Sequence, residues 1–251
     1  MSVKVLLVGE SWVSSSTHFK GWDFFVSANY EIGSEHLTAA LDSYGMVVDH
    51  MPSHEAARRF PFEVEDLAQY QVIILSDIGA NTLLLHPDTF LHGKRTPNRL
   101  NVIAEYVRGG GGLLMAGGYL SFQGIYGSAR YKKTAVEDVL PIRMFAYDDR
   151  TETPEGVTPN VVQADHPVLK GINGSWPYLL GYNEVEAKEG SNTLLQVGHD
   201  PLLVVGTAGA GRSAAWTSDV GPHWCPPEFF SWSGYETMFG QLVKWLANVS
   251  G

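Results

Sequence analysis

Apolar bursts and amphipathic segments alternate through the first half of the chain. Residues 3–9 (VKVLLVG) form an apolar run closed by a glycine, the pattern of a strand buried on both faces of a parallel sheet. Residues 46–52 (MVVDHMP), 71–77 (QVIILSD) and 112–118 (GLLMAGG) repeat it. Between them lie helical patterns. In residues 33–45 (GSEHLTAALDSYG), Ser34 is placed as N-cap, Leu37, Ala40 and Leu41 share a face, and Gly45 is the stop. Residues 63–70 (EVEDLAQY) predict a short helix, and residues 97–110 (PNRLNVIAEYVRGG) a longer one with Leu100, Ile103, Ala104 and Val107 on one side. Residues 10–25 (ESWVSSSTHFKGWDFF) read as a polar and aromatic loop. Strands alternating with helices imply right-handed crossovers and a mostly parallel sheet covered on both faces.

The second half changes character. Residues 134–142 (TAVEDVLPI) predict a short helix, and residues 193–206 (TLLQVGHDPLLVVG) two antiparallel strands joined at GHDP. Residues 211–221 (GRSAAWTSDVG) hold a further strand. Residues 234–249 end the pattern with a helix carrying Met238, Leu242, Trp245 and Leu246 on one side. The polar, turn-rich residues 148–160 (DDRTETPEGVTPN) are the one candidate boundary. They are taken as a loop within a single domain spanning residues 1–251, because the later strands extend the same sheet.

Composition narrows the function classes. The chain has 251 residues, 44% hydrophobic and 18% charged, which suits a folded domain with a substantial core. A net charge of -10 argues against a nucleic-acid partner, which would need clustered Lys and Arg. The single cysteine, Cys225, allows no internal disulfide. No apolar run reaches the ~18 residues of a membrane span, and the opening apolar run is too short for a signal peptide, so a cytoplasmic location is expected. No metal or cofactor is expected. His50 and His54 are separated by Pro52, and neither a zinc signature nor a phosphate-binding loop occurs.

In an open parallel sheet, ligands bind beyond the carboxyl ends of the strands. This rule selects Glu10, Ser11 and Trp12 after the first strand, then Ser76, Asp77 and Asn81 after the third. It also selects Gly118, Tyr119 and Ser121 after the fourth, and Ser218, Asp219 and His223 after the late strand. Each has a plainer reading. Asp77 holds a ligand or caps a turn. His223 and Cys225 form a base and thiolate, or Cys225 is a small buried filler in an aromatic loop. Arg150 clamps an anion or pairs with Asp148 and Asp149. The aromatics Trp216, Trp224, Phe229, Phe230, Trp232 and Tyr235 wall a pocket, form core, or lie at a homo-oligomer interface.

Taken together, VKVLLVGES, VIILSDIGANTLLL, YVRGGGGLLMAGGYLSFQGIYGSARY, HPVLKGI, LLGYNEV and GRSAAWTSDVGPHW resemble the putative glutamine amidotransferase-like family, over almost the whole chain. The resemblance implies the class I glutamine amidotransferase-like fold: a flavodoxin-like three-layer sandwich whose mostly parallel sheet carries antiparallel extension strands. Trehalose-utilisation-type proteins are similar. Class I amidotransferases use a Cys–His–Glu triad with the Cys in a G-x-C-x-G elbow. By resemblance, that elbow falls on AGGYLSF, with Tyr119 or Gly118 at the Cys position. Thr217 falls near the His position and Asp219 near the Glu position. Without a thiolate or activated hydroxyl no glutaminyl thioester forms, and the Tyr119 phenol is a poor acyl acceptor at neutral pH. The expectation is a protein that keeps the fold, binds a small polar metabolite at the strand ends, and does not hydrolyse glutamine. Two alternatives stand beside it: a hydrolase with a relocated nucleophile at Cys225 and its base at His223, and a non-enzymatic oligomeric module.

Overall fold

The computed structural model describes residues 2–248, so the last residue of the expected terminal helix, Val249, lies outside the described residues. The strands are β1 (Lys4–Gly9), β2 (Ser11–Lys20), β3 (Asp23–Ile32), β4 (Val47–Met51), β5 (Val72–Ser76), β6 (Gly112–Ala116), β7 (Ile142–Met144), β8 (Arg150–Val157), β9 (Asn160–Val161), β10 (Leu179–Asn183), β11 (Val185–Ala187), β12 (Asn192–Val197), β13 (Asp200–Ala208) and β14 (Gly211–Trp216). Eight of them form the central sheet in the order β4-β1-β5-β6-β14-β13-β12-β9. The first five in that order run parallel, and β13, β12 and β9 continue the sheet antiparallel. This is the flavodoxin-like, amidotransferase-type architecture expected from the sequence.

The continuous apolar runs are explained by burial on both faces. Along β1, Val5 and Leu7 enter one core and Leu6 and Val8 the other; β5 divides the same way, Val72 and Ile74 against Ile73 and Leu75. The first core lies under the helices Glu35–Ser43 and Ser233–Leu246, the second under Arg99–Arg108. Burying each such side chain contributes about 1.5–3 kcal/mol, which leaves no solvent face to alternate toward.

The predicted helices form, with Tyr44 as C-cap before Gly45 and Gly109 as C-cap of Arg99–Arg108. Two segments read as loops do not behave as loops. Residues 10–25 belong to a long antiparallel hairpin, β2 with β3, that stands off the body. Residues 148–160 hold β8, which pairs with β10 and forms a small ribbon above the sheet's carboxyl edge. Their alternating polar residues concealed strands that have no continuous apolar run. Nor are most of the C-terminal aromatics at a surface. Trp216, Trp224, Phe229 and Tyr235 are at most 1% exposed and pack in the core.

Arg99 is fully buried and donates to the carbonyls of Ala56, Ala57, Phe60, Thr82 and Leu83. Its guanidinium thus closes the last turns of the helices Ser53–Arg59 and Ala80–Leu84, where free carbonyls and the negative end of the helix dipole favour a cation.

Candidate functional site

Strand register lines up the carboxyl edge. Gly9 pairs with Ser76, Ser76 with Ala116, and Ala116 with Trp216, so four strands end in one row. The chain leaves this row sharply. Glu10 and Asp77, the residues just past β1 and β5, both have left-handed backbone conformations (φ 47° and 43°), which non-glycine residues adopt at a cost. Gly9 must be glycine, since a Cβ there would lie 1.8 Å from the Ser76 carbonyl oxygen.

Three carboxyls converge beyond the row. Glu10 is buried and accepts a hydrogen bond from the Ser76 hydroxyl. Burial, reinforced by the nearby Asp77 charge, pushes the Glu10 carboxyl up to about 7. Asp219 is buried at the end of β14, and desolvation with the charges of Glu10 and Asp77 holds it well above the ordinary carboxylate range. Asp77 is also raised, by burial first, with backbone hydrogen bonds and His223 opposing. Glu10, titrating near neutrality beside two further raised carboxyls, can both donate and accept a proton there. Among the described residues no group of three or more His, Cys, Asp and Glu could hold a metal ion.

The elbow after β6 is tied down by the protein itself. Gly118 has φ 139°, closed to ordinary side chains, and its N–H donates to Asn183 Oδ1 at 3.0 Å. Asn183 Nδ2 returns a bond to the Gly118 carbonyl at 3.3 Å and another to Asp149 Oδ1 at 2.9 Å. Asp149 in turn accepts from the N–H groups of Gln123 and Gly124. Asp77 Oδ1 accepts the Leu120 N–H at 2.7 Å. Asp77 is thus a cap, as one reading of the sequence held, but of the β6 elbow and not of its own turn.

Above the elbow stands a layer of larger groups. Tyr119 donates to Glu152 Oε1 at 3.0 Å, and Trp224 Nε1 donates to Glu152 Oε2 at 2.9 Å. The Arg150 guanidinium lies 4.7 Å from the Tyr119 ring centre, and the His223 ring meets that ring edge-on at 4.8 Å. Arg150 also holds Asp148 through two bonds of 2.8 and 2.9 Å, the paired reading of this arginine. Burial and the Glu152 carboxylate raise the Tyr119 phenol, which keeps it protonated.

The other sequence-selected residues divide clearly. Ser121 is buried and its hydroxyl accepts the Asp77 N–H at 3.1 Å, so it positions Asp77. Ser11 turns away and accepts the Ser53 N–H at the start of a helix. Asn81 is exposed in the helix Ala80–Leu84. Cys225 is fully buried in the apolar core, and burial, with the Asp219 charge, pushes its thiol up and away from the thiolate form. His223 is half exposed on the rim, with Nε2 4.0 Å from Glu152 Oε2. Thr217, at the expected His position, is buried with its hydroxyl on the Pro201 and Leu202 carbonyls. Sequence reading missed Asn183, Glu152 and the structural part of Asp149. The available signal was an asparagine inside the apolar run YLLGYN, a buried polar group that needs partners.

A family model described as putative glutamine amidotransferase matches residues 4–248. The chain belongs to this family. Among solved structures, the cytoplasmic protein STM3548 from Salmonella typhimurium is 43% identical with a TM-score of 0.94, over 97% of this chain and 99% of that one. The cytoplasmic protein STM1381 from Salmonella typhimurium LT2 is also 43% identical, TM-score 0.93, with the same coverage. A ThuA-like protein from Parabacteroides merdae shares the fold at 15% identity and a TM-score of 0.59, over 98% of this chain and 90% of that one. No curated protein matches. Within this putative glutamine amidotransferase family, the present chain carries tyrosine and glycine at the elbow, and the elbow's N–H groups of Gly118 and Leu120 are already bonded to its own side chains.

Proposed function

We propose that this protein binds a small polar metabolite bearing hydroxyl or amino groups at the carboxyl edge of the sheet, and does not hydrolyse glutamine. The observation that carries the reading is the acid cluster. Glu10, Asp77 and Asp219 come together from three strand ends, Glu10 and Asp219 buried, and each carboxyl is raised above its ordinary range. Perturbed acids gathered at a strand-end crevice mark functional sites, and they suit a ligand that offers both donors and acceptors. Tyr119, Glu152, His223 and Arg150 form the rim through which such a ligand is recognised. Glutamine hydrolysis is disfavoured on two counts: no nucleophile stands at the elbow, and its Gly118 and Leu120 amides are already bonded to side chains. The alternative with Cys225 as relocated nucleophile and His223 as base has the thiol's burial against it. We assign the protein to the cytoplasm, following the description of its two Salmonella relatives. No helix among the described residues is long and apolar enough to cross a membrane.

The test is a melting-temperature screen against sugars, polyols, amino acids and amines, run beside an assay for ammonia release from glutamine. One chemical class should raise the melting temperature of the wild type and not that of Asp219→Asn. Ammonia release that vanishes in Cys225→Ala would overturn the proposal.

A further inference from the structure

The hairpin of β2 and β3 is ten residues long on each side, so it reaches about 30 Å from the body. An isolated two-stranded ribbon is marginal in water. Its register separates two unlike faces. One carries Trp12, Ser14, Ser16, His18 and Lys20 opposite Glu31, Asn29, Ser27, Phe25 and Asp23. On this face Phe25, 49% exposed, is flanked by polar groups: His18 stacks on it at 4.5 Å and Lys20 lies over the same ring. The other face pairs Val13 with Tyr30, Ser15 with Ala28, Thr17 with Val26, and Phe19 with Phe24, with Ile32 at the root. It carries no charged residue, and its large side chains stand open, from 45% exposed at Ile32 to 76% at Phe19.

We propose that this uncharged face is a dimer interface, and that its occupant is the same face of a second copy of this chain. Three observations select that partner. The hairpin's charges, Lys20, Asp23 and Glu31, all lie on the opposite face, so nothing on this one complements a charged partner; an equally neutral face does. The face is narrow at its centre, Ser15 with Ala28, and bulky at both ends. A two-fold axis through that waist lets two ribbons cross closely while each end wraps the other. The area is also sufficient. Aromatic side chains bury about 150–250 Å² each and the aliphatic ones less; with about half to three quarters of each already open, the six present on the order of 600 Å² per copy and about 1,200 Å² for two, the lower bound of a stable specific interface. The hairpin springs directly from Glu10 and returns at Gly33, whose N–H bonds the Glu10 carbonyl, so the interface is continuous with the acid cluster.

Sedimentation velocity on the full chain should give twice the chain mass at tens of micromolar. The variant Phe19→Ser/Phe24→Ser/Val26→Ser should sediment as a monomer with unchanged far-ultraviolet circular dichroism, while Phe25→Ser, on the charged face, stays dimeric. Independently of how those variants fold, Ala28→Cys at the waist should form a disulfide-linked dimer on mild oxidation, and Ser14→Cys on the other face should not. A monomeric wild type, a dimer that survives the triple substitution, or cross-linking through Ser14→Cys but not Ala28→Cys would each overturn the proposal. Ligand binding at the acid cluster is read separately by the melting screen, so either idea can fail alone.

Discussion

Asn183 grips Gly118 by both of its backbone groups, accepting its N–H at 3.0 Å and donating to its carbonyl at 3.3 Å. One side chain on β10 thereby fixes the elbow that ends β6, and a third bond to Asp149 ties both to the loop at residues 123–124. All of these side chains are at most 1% exposed. Truncation would leave the Gly118 N–H and the Asp149 carboxylate buried without their partner. Asn183→Ala should therefore lose about 2–4 kcal/mol of stability, and its melting temperature should fall by about 5–10 °C for a domain of this size. Urea denaturation measures the first and calorimetry the second. A loss under about 0.5 kcal/mol would mean that water substitutes freely for the amide.

The acid cluster sets a pH dependence whose sign is fixed by the raised carboxyls. Glu10 titrates at about 7 in the folded chain against an ordinary 4.5. Below 4.5 it is protonated folded or unfolded; between 4.5 and 7 the unfolded chain gives up its proton first. Stability should thus be highest on the acid side and fall as pH rises through that window, by up to about 3 kcal/mol for this group. Asp77 and Asp219 act in the same direction. Glu10→Gln, which can still accept from Ser76, should flatten part of this slope and be more stable than wild type at pH above 7. Denaturation curves at several pH values check it; an unchanged slope would show that Glu10 is ionised in the native state.

Cys225 should behave as core. Its sulfur is buried and its thiol is held protonated, so a disulfide-exchange reagent should leave it unmodified in the native protein and modify it fully after unfolding. Rapid native reaction at neutral pH would show that the loop carrying His223 and Cys225 opens readily.

The parallel half of the fold was legible because strands buried on both faces must be apolar throughout. Val72–Ser76 and Gly112–Ala116 could be little else. The hairpin and β8 were not legible, since Ser14–Ser16 or Arg150–Glu152 take strand form from backbone pairing that no local apolar run announces. The site divided along the same line. Residues directly after apolar strands, Glu10, Asp77 and Asp219, were found by the carboxyl-end rule. Asn183, Glu152 and Asp149 were not, because β8 and β10 bring them to the elbow across distances of more than 20 residues in the chain. Arg99 falls in the same class: a helix residue in sequence, it holds two other helices in space.

Arg99 supports the region beneath the second core. Arg99→Met keeps the length of the side chain but strips five carbonyls of their donor. The expected loss is about 3–5 kcal/mol, in the range seen when a buried charged network loses a member. Arg99→Lys should recover only part of it, because an ammonium has three donors and no fork. Chemical denaturation of the two variants separates the effects: equal losses would show that charge, not donor geometry, matters at this position.

Restoring a thiol at the elbow should not restore an amidotransferase. Tyr119→Cys places a nucleophile at the position the family resemblance indicates. The surrounding groups still oppose the chemistry. The Gly118 and Leu120 N–H groups remain bonded to Asn183 and Asp77, so a tetrahedral oxyanion would have to compete for them with these side chains. Thr217 offers no base, and its buried hydroxyl already bonds the Pro201 and Leu202 carbonyls. Asp219 Oδ1 is already held by the Val220 N–H at 2.7 Å. Nucleophile, base and oxyanion donors act as a unit, and supplying one of them leaves the barrier nearly unchanged. Both Tyr119→Cys and Tyr119→Cys/Thr217→His should release no ammonia from glutamine above background, although the new thiol should react with iodoacetamide. Turnover in either variant would show that the elbow's amides are free to serve an oxyanion, and that only the nucleophile separates this site from a working one.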